Sequence, residues 1–160
     1  MAEPILAIDP GPTESAYLWL ENGLPTAFAK VENDCVLGIC RAARHSRLTI
    51  GKVASYGMPV GREIFETVYW TGRFDQAYGG DAQRIERTEI KMHLCHTLKG
   101  VNDSVIRQAL IDRYGPGKDI AIGTKKKQGP LYGITKDCWA ALALAVTFHD
   151  KAMASGEPTE

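Results

Sequence analysis

No apolar run in this 160-residue chain approaches the ~20 residues that span a bilayer, and its first residues lack the charged-then-apolar order of a secretion signal. A cytoplasmic protein is the expectation. Cysteine is sparse: Cys35, Cys40, Cys95 and Cys138 show no Cys-x-x-Cys spacing, so neither a zinc site nor a disulfide framework is indicated. They read as reduced, small apolar residues. Net charge is missing too, since 19 Lys and Arg balance 19 Asp and Glu, which argues against generic coating of nucleic acid. Internal repeats and convincing linkers are absent. What remains is a length and a 44% hydrophobic content suited to one domain with a substantial core, expected over 1–152 with a polar tail at 153–160.

The charge that is present is unevenly placed. Between Arg84 and Lys127 ten Lys and Arg face five Asp and Glu, a net of +5, so the remainder of the chain carries −5. That split permits a basic face toward phosphates together with an acidic site elsewhere.

Ile5-Leu6-Ala7-Ile8-Asp9 is a short apolar run holding one carboxylate, followed at once by the turn residues Pro10-Gly11-Pro12. A buried charge is costly unless it is paired or binds a metal, so Asp9 either caps the turn or holds a cation. Ser15 to Leu20 and Leu24 to Val31 read as two further strands around an Asn22-Gly23 hairpin turn, completing an antiparallel meander. Asn33 and Asp34 are helix N-caps for a helix to about His45, and Arg47 to Val53 forms a fourth strand. From Arg62 to Tyr78 the periodicity predicts a helix whose apolar face gathers Ile64, Phe65, Val68, Tyr69, Gly72 and Phe74. Gln83 to Arg87 follows as a short strand, then Thr88 caps a short helix, and Asp103 to Tyr114 is helical. Gly117 to Gly133 has no periodicity and reads as a mobile basic flap. Thr135 then caps an alanine- and leucine-rich helix. The fold class is α/β, a mixed sheet of three antiparallel and then parallel strands with helices on both faces.

Asp137 is the second notable acid. Either it complements the dipole of the last helix, or that helix packs on the sheet and aims it at the end of the first strand. In the second case Asp9 and Asp137 form a divalent-metal site of the kind used for phosphodiester cleavage. Lys125, Lys126 and Lys127 form either a solvated charge run or a phosphate clamp, with Lys99 and Lys91 as further DNA-contact candidates. His93 and His96 read as structural histidines. Tyr56 and Met58 either plug their loop or wedge against unstacked bases.

These segments resemble RuvC-type Holliday junction resolvases of the RNase H-like superfamily. Ile5 to Gly11 looks like the opening strand, and Glu89-Ile90-Lys91 with Lys99-Gly100-Val101-Asn102-Asp103 is similar to the basic segment before a helix. Asp137 to Ala145 looks like the C-terminal acidic helix. Val53 to Gly61, with Glu66 and Gly72-Arg73-Phe74, is similar to the phage-encoded branch. The resemblance implies an RNase H-like fold, a homodimer with the helix Arg62 to Tyr78 as interface, Mg²⁺ or Mn²⁺ dependence, and two-metal cleavage of branched DNA. Asp9 and Asp137 are then metal ligands, and Lys91 lies near the metals, offsetting charge on the scissile phosphate.

Two departures stand out. The family's strand-four glutamate position falls on Gly51, and the second acid of its last helix falls on Ala140. Glu66 or Glu63, on the helix after the Tyr56 loop, is the candidate compensation. The alternative is a weakened or inactive relative that binds structured DNA without cutting it. A phosphotransfer domain of the sugar-kinase and actin kind is disfavoured by the short chain, which has no second half.

Overall fold

The computed structural model describes residues 2–156; the end of the expected polar tail, 157–160, lies outside them. Eleven elements follow one another: β1 (Ile5–Asp9), β2 (Glu14–Glu21), β3 (Leu24–Glu32), α1 (Asn33–Ala42), β4 (Arg47–Lys52), α2 (Arg62–Tyr78), β5 (Gln83–Glu86), α3 (Arg87–Cys95), α4 (Asp103–Tyr114), α5 (Lys118–Ala121) and α6 (Cys138–Ala154). The strands make one sheet in the order β3-β2-β1-β4-β5. β1, β2 and β3 pair antiparallel, whereas β4 and β5 run parallel to β1. The β2–β3 turn is the expected one, with Asn22 at φ 52° and Gly23 at φ 78°, the left-handed pair that matches strand twist.

Alternation along β1 sorts the core into two layers. Ile5 and Ala7 join α3, α4 and α6 on one face, while Leu6 and Ile8 join Val36, Leu37, Cys40 and Phe74 of α1 and α2 on the other. Helices therefore cover both faces. α6 is the principal helix of the first layer, buried from Trp139 through Phe148 except at Ala140. Leu142 and Leu144 are essentially inaccessible, and burying each contributes about 1.5–3 kcal/mol.

Four local expectations are corrected. Thr135 does not cap α6, because Lys136 adopts φ 48° and turns the chain out of the helical path, leaving Asp137 at the boundary. Thr88 lies inside α3, which starts at Arg87 directly from β5. Asn33 does not cap α1; it is buried and serves the corner after β1. The stretch 117–133 has its own local structure: α5, a Gly123–Gln128 bridge, and backbone bonds from Gly129 to Ile122 and from Leu131 to Ala121. Non-repetitive turns carry no periodicity, and a Cβ on Gly129 would come within 2.3 Å of the Ile120 carbonyl oxygen.

α2 has the expected bounds but another packed side. Thr67, Thr71 and Phe74 are its buried residues, whereas Phe65, Val68 and Tyr69 are 64%, 52% and 58% exposed. The threonine hydroxyls donate to carbonyls one turn back, Thr67 to Glu63 at 2.8 Å and Thr71 to Thr67 at 2.9 Å. Satisfied in this way, they bury without penalty.

Candidate functional site

The corner after β1 is held by neutral groups. Ser15 Oγ accepts from Gly11 N at 3.0 Å and donates to Asn33 Oδ1 at 2.6 Å, and Asn33 Nδ2 donates to the Gly11 carbonyl at 3.0 Å. A Cβ on Gly11 would meet the Glu14 carbonyl oxygen at 2.3 Å, so this clasp requires glycine. The Asp9 carboxylate takes no part in it and makes no hydrogen bond among the described residues. Of the two readings of Asp9, turn-capping is therefore removed.

Sharing the alternation of Ile5 and Ala7, Asp9 belongs to the α6 side of the sheet. It borders a cavity of about 630 Å³ at the C-terminal ends of β1, β4 and β5, and Asp137 borders the same cavity from the start of α6. The two acids feel each other. The Asp9 carboxyl is pushed up to about 6, first by burial and then by the negative charge of Asp137, against the opposing pull of Arg87 and Lys30.

Gly51 and Ala140 also line the cavity, so both positions where the family resemblance expects an acid open onto it. A Cβ on Gly51 would lie 3.9 Å from Asp9 Oδ1. Glu63 and Glu66 are exposed on α2, on the opposite side of the sheet, and neither lines the cavity. Lys91, half-buried on α3, is outside the lining, and so are the exposed Lys99 in the turn after α3 and Tyr56 in its loop. Lys125 and Lys126 are the central residues of a tight turn closed by mutual Thr124–Lys127 backbone bonds, and with Lys127 they are solvent-exposed away from the cavity. Tyr56 sits at φ 50° and is 58% exposed, beside Met58 at 71%. His93 is structural as expected, its Nε2 lying 2.7 Å from Asp150 Oδ2, a carboxylate that Arg113 also grips at 2.6 and 2.7 Å.

The cavity holds charges that the sequence reading passed over. Lys52, Arg87, Arg107 and Lys136 line it, together with a third acid, Asp103, which pairs with Arg87. The Arg107 guanidinium stacks 4.7 Å from the Trp139 ring centre, which fixes its height at the wall. Lys52 pairs with Glu86 at 2.9 Å. Lys30 reaches Asp137 Oδ2 at 2.5 Å, a hydrogen bond that, with the charge behind it, raises the lysine's pKa. Arg87 enters the cavity as the first residue of α3, two residues beyond the buried Ile85 of β5; Lys30 depends on register across two strand pairs, which no local pattern shows.

The donor set suits one hard cation. Asp9 and Asp137 offer two carboxylates whose mutual repulsion such a cation would relieve, and Mg²⁺ characteristically takes one or two carboxylates and completes its shell with water and phosphate oxygens. Among the described residues no group of three or more His, Cys, Asp or Glu side chains converges. Among those residues no helix is long and apolar enough to cross a membrane.

No family model matches the chain, and no curated protein sequence matches it. Solved structures do. A Thermus thermophilus RuvC structure aligns at a TM-score of 0.64 and 14% identity over 95% of this chain and 96% of that one. T. thermophilus RuvC in complex with Holliday junction substrate aligns at 0.67 and 13% identity over 96% of both. The fold is thus RuvC-like, an RNase H-like mixed sheet.

Proposed function

We propose that the chain is an endonuclease for branched DNA, dependent on Mg²⁺ or Mn²⁺, from the phage-encoded branch of the RuvC-type resolvases and working in the host cytoplasm. The observation that carries this reading is the convergence of Asp9 and Asp137 on one cavity, in a fold similar to that of a RuvC seen with Holliday junction substrate.

Asp9 and Asp137 would hold the cation, which supplies Lewis acidity toward a phosphate oxygen and lowers the pKa of a bound water. The chain's own residues do the rest. Arg87, Arg107 and Lys136 place positive charge on the cavity wall, where a scissile phosphate gains most from it. Lys125, Lys126, Lys127 and Lys99 engage phosphates farther along the duplex, and Lys91 supports the same basic face. Tyr56 and Met58, exposed in the loop after β4, wedge against bases at the branch point. The exposed Phe65, Val68 and Tyr69 stripe of α2 is the homodimer contact.

A second reading, a junction-binding protein with little or no cleavage, is favoured by the absence of donors at Gly51 and Ala140. Four-way junctions incubated with Mg²⁺ or Mn²⁺ separate the two. Paired nicks that disappear in Asp9→Asn support the nuclease; junctions that shift in a gel yet stay intact with every metal support the binder.

A further inference from the structure

The register places Lys30 in a row with the acids. Asp9 pairs with Ala16 across β1–β2, and Ala16 pairs with Lys30 across β2–β3, so the three lie side by side on the α6 face. Between the acid and the lysine stands only a methyl group, buried completely. Over that low point the lysine side chain reaches Asp137 Oδ2 at 2.5 Å, and its charge is also felt by Asp9. Of the cations that line the cavity, Arg87 pairs with Asp103 while also acting on Asp9, Lys52 pairs with Glu86, Arg107 stacks on Trp139, and Lys136 precedes Asp137 in the chain; among the described residues Lys30 is the cation that bonds Asp137.

We infer that Lys30 is a built-in counter-cation of the two-carboxylate site, a positioning residue that occupies one oxygen of Asp137 and limits the site to a single divalent cation. The inference rests on the metal-site reading of Asp9 and Asp137. With no donor at Gly51 or Ala140, a second divalent ion would have to be held by carboxylates already shared with the first or by Asp103, which Arg87 already engages. An ammonium tethered to the sheet needs no such donors. It places one unit of positive charge on Asp137 Oδ2, and Asp9 and Asp137 would then hold a single divalent cation between fewer free oxygens. Added metal must then compete with a fixed positive charge, so affinity is lower than two free carboxylates would give.

Calorimetric titration of the full chain with Mn²⁺, alongside Lys30→Met and Lys30→Arg, tests this. Lys30 is 41% exposed, so the methionine variant keeps the apolar stem and is expected to fold, as its melting temperature will verify. The wild type should bind one ion per chain. Lys30→Met should bind Mn²⁺ roughly threefold to tenfold more tightly, and Lys30→Arg should match the wild type. Unchanged or weakened binding in Lys30→Met, with one ion still bound by the wild type, overturns the role of Lys30 and leaves the metal site standing. Two ions per wild-type chain also overturn it. If neither protein binds Mn²⁺ at millimolar concentration, this inference and the metal reading fall together.

Discussion

A Cβ placed on Gly51 would stand 3.9 Å from Asp9 Oδ1 and 3.3 Å from Pro10 Cδ. Parallel pairing sets this proximity, because Ile8 lies opposite Ile50 and the next residue of each strand carries the relationship forward. An acid here would be a neighbour of Asp9 at the modest cost of a few tenths of an ångström of movement by Pro10.

Gly51→Glu is therefore expected to add a donor. Mn²⁺ affinity and the single-turnover nicking rate on a four-way junction should both rise, on the order of tenfold or more, with little change in stability. An unchanged rate together with unchanged affinity would show that position 51 does not serve the metal.

Asp9→Asn should abolish cleavage while stabilising the fold. The Asp9 carboxyl is pushed up to about 6 in the folded protein from an ordinary 3.8. The folded state thus binds the proton more tightly, and stability from this group falls as pH rises from about 4 to about 6, with the full penalty present above that. Removing the charge should raise stability at pH 7.5 by about 1–3 kcal/mol and by little at pH 4. Thermal melts of both proteins at the two pH values measure it, and an equal effect at both would contradict the assignment.

Replacing Lys125, Lys126 and Lys127 with alanine removes three charges from a turn whose backbone bonds are independent of them. Junction affinity should fall and the slope of log K against log salt should flatten by roughly two to three. Filter binding between low and moderate salt supplies both values.

Phe65→Glu places a charge in the exposed stripe of α2. If that stripe joins two chains, sedimentation at micromolar concentration should show a dimer for the wild type and a monomer for the variant, with the melting transition of the monomer preserved.

Much of the architecture was legible from local chemistry. The Asn22-Gly23 turn, the bounds of α2 and α4, and the isolation of Asp9 in an apolar strand all follow from residues close in sequence. What escaped was non-local or disguised. On α2 an apolar count finds Phe74, which is buried, but also Phe65, Val68 and Tyr69, which face outward, because Thr67 and Thr71 hide their hydroxyls in their own helix and take the packed side. Lys30 is illegible in the sequence because its partner is 107 residues away, and nearness of Glu66 to the Tyr56 loop in sequence says nothing about which face of the sheet its helix covers. The start of α6 shifted because one left-handed residue, Lys136, interrupts an otherwise helical pattern.

The clasp formed by Gly11, Ser15 and Asn33 has a consequence for how such a protein can change over time. Because uncharged side chains carry all the hydrogen bonding of the corner, the carboxylate beside it is free of structural duty. Architecture and reactivity are separable modules at this strand end: an acid beside the corner can be exchanged without disturbing the scaffold that presents it.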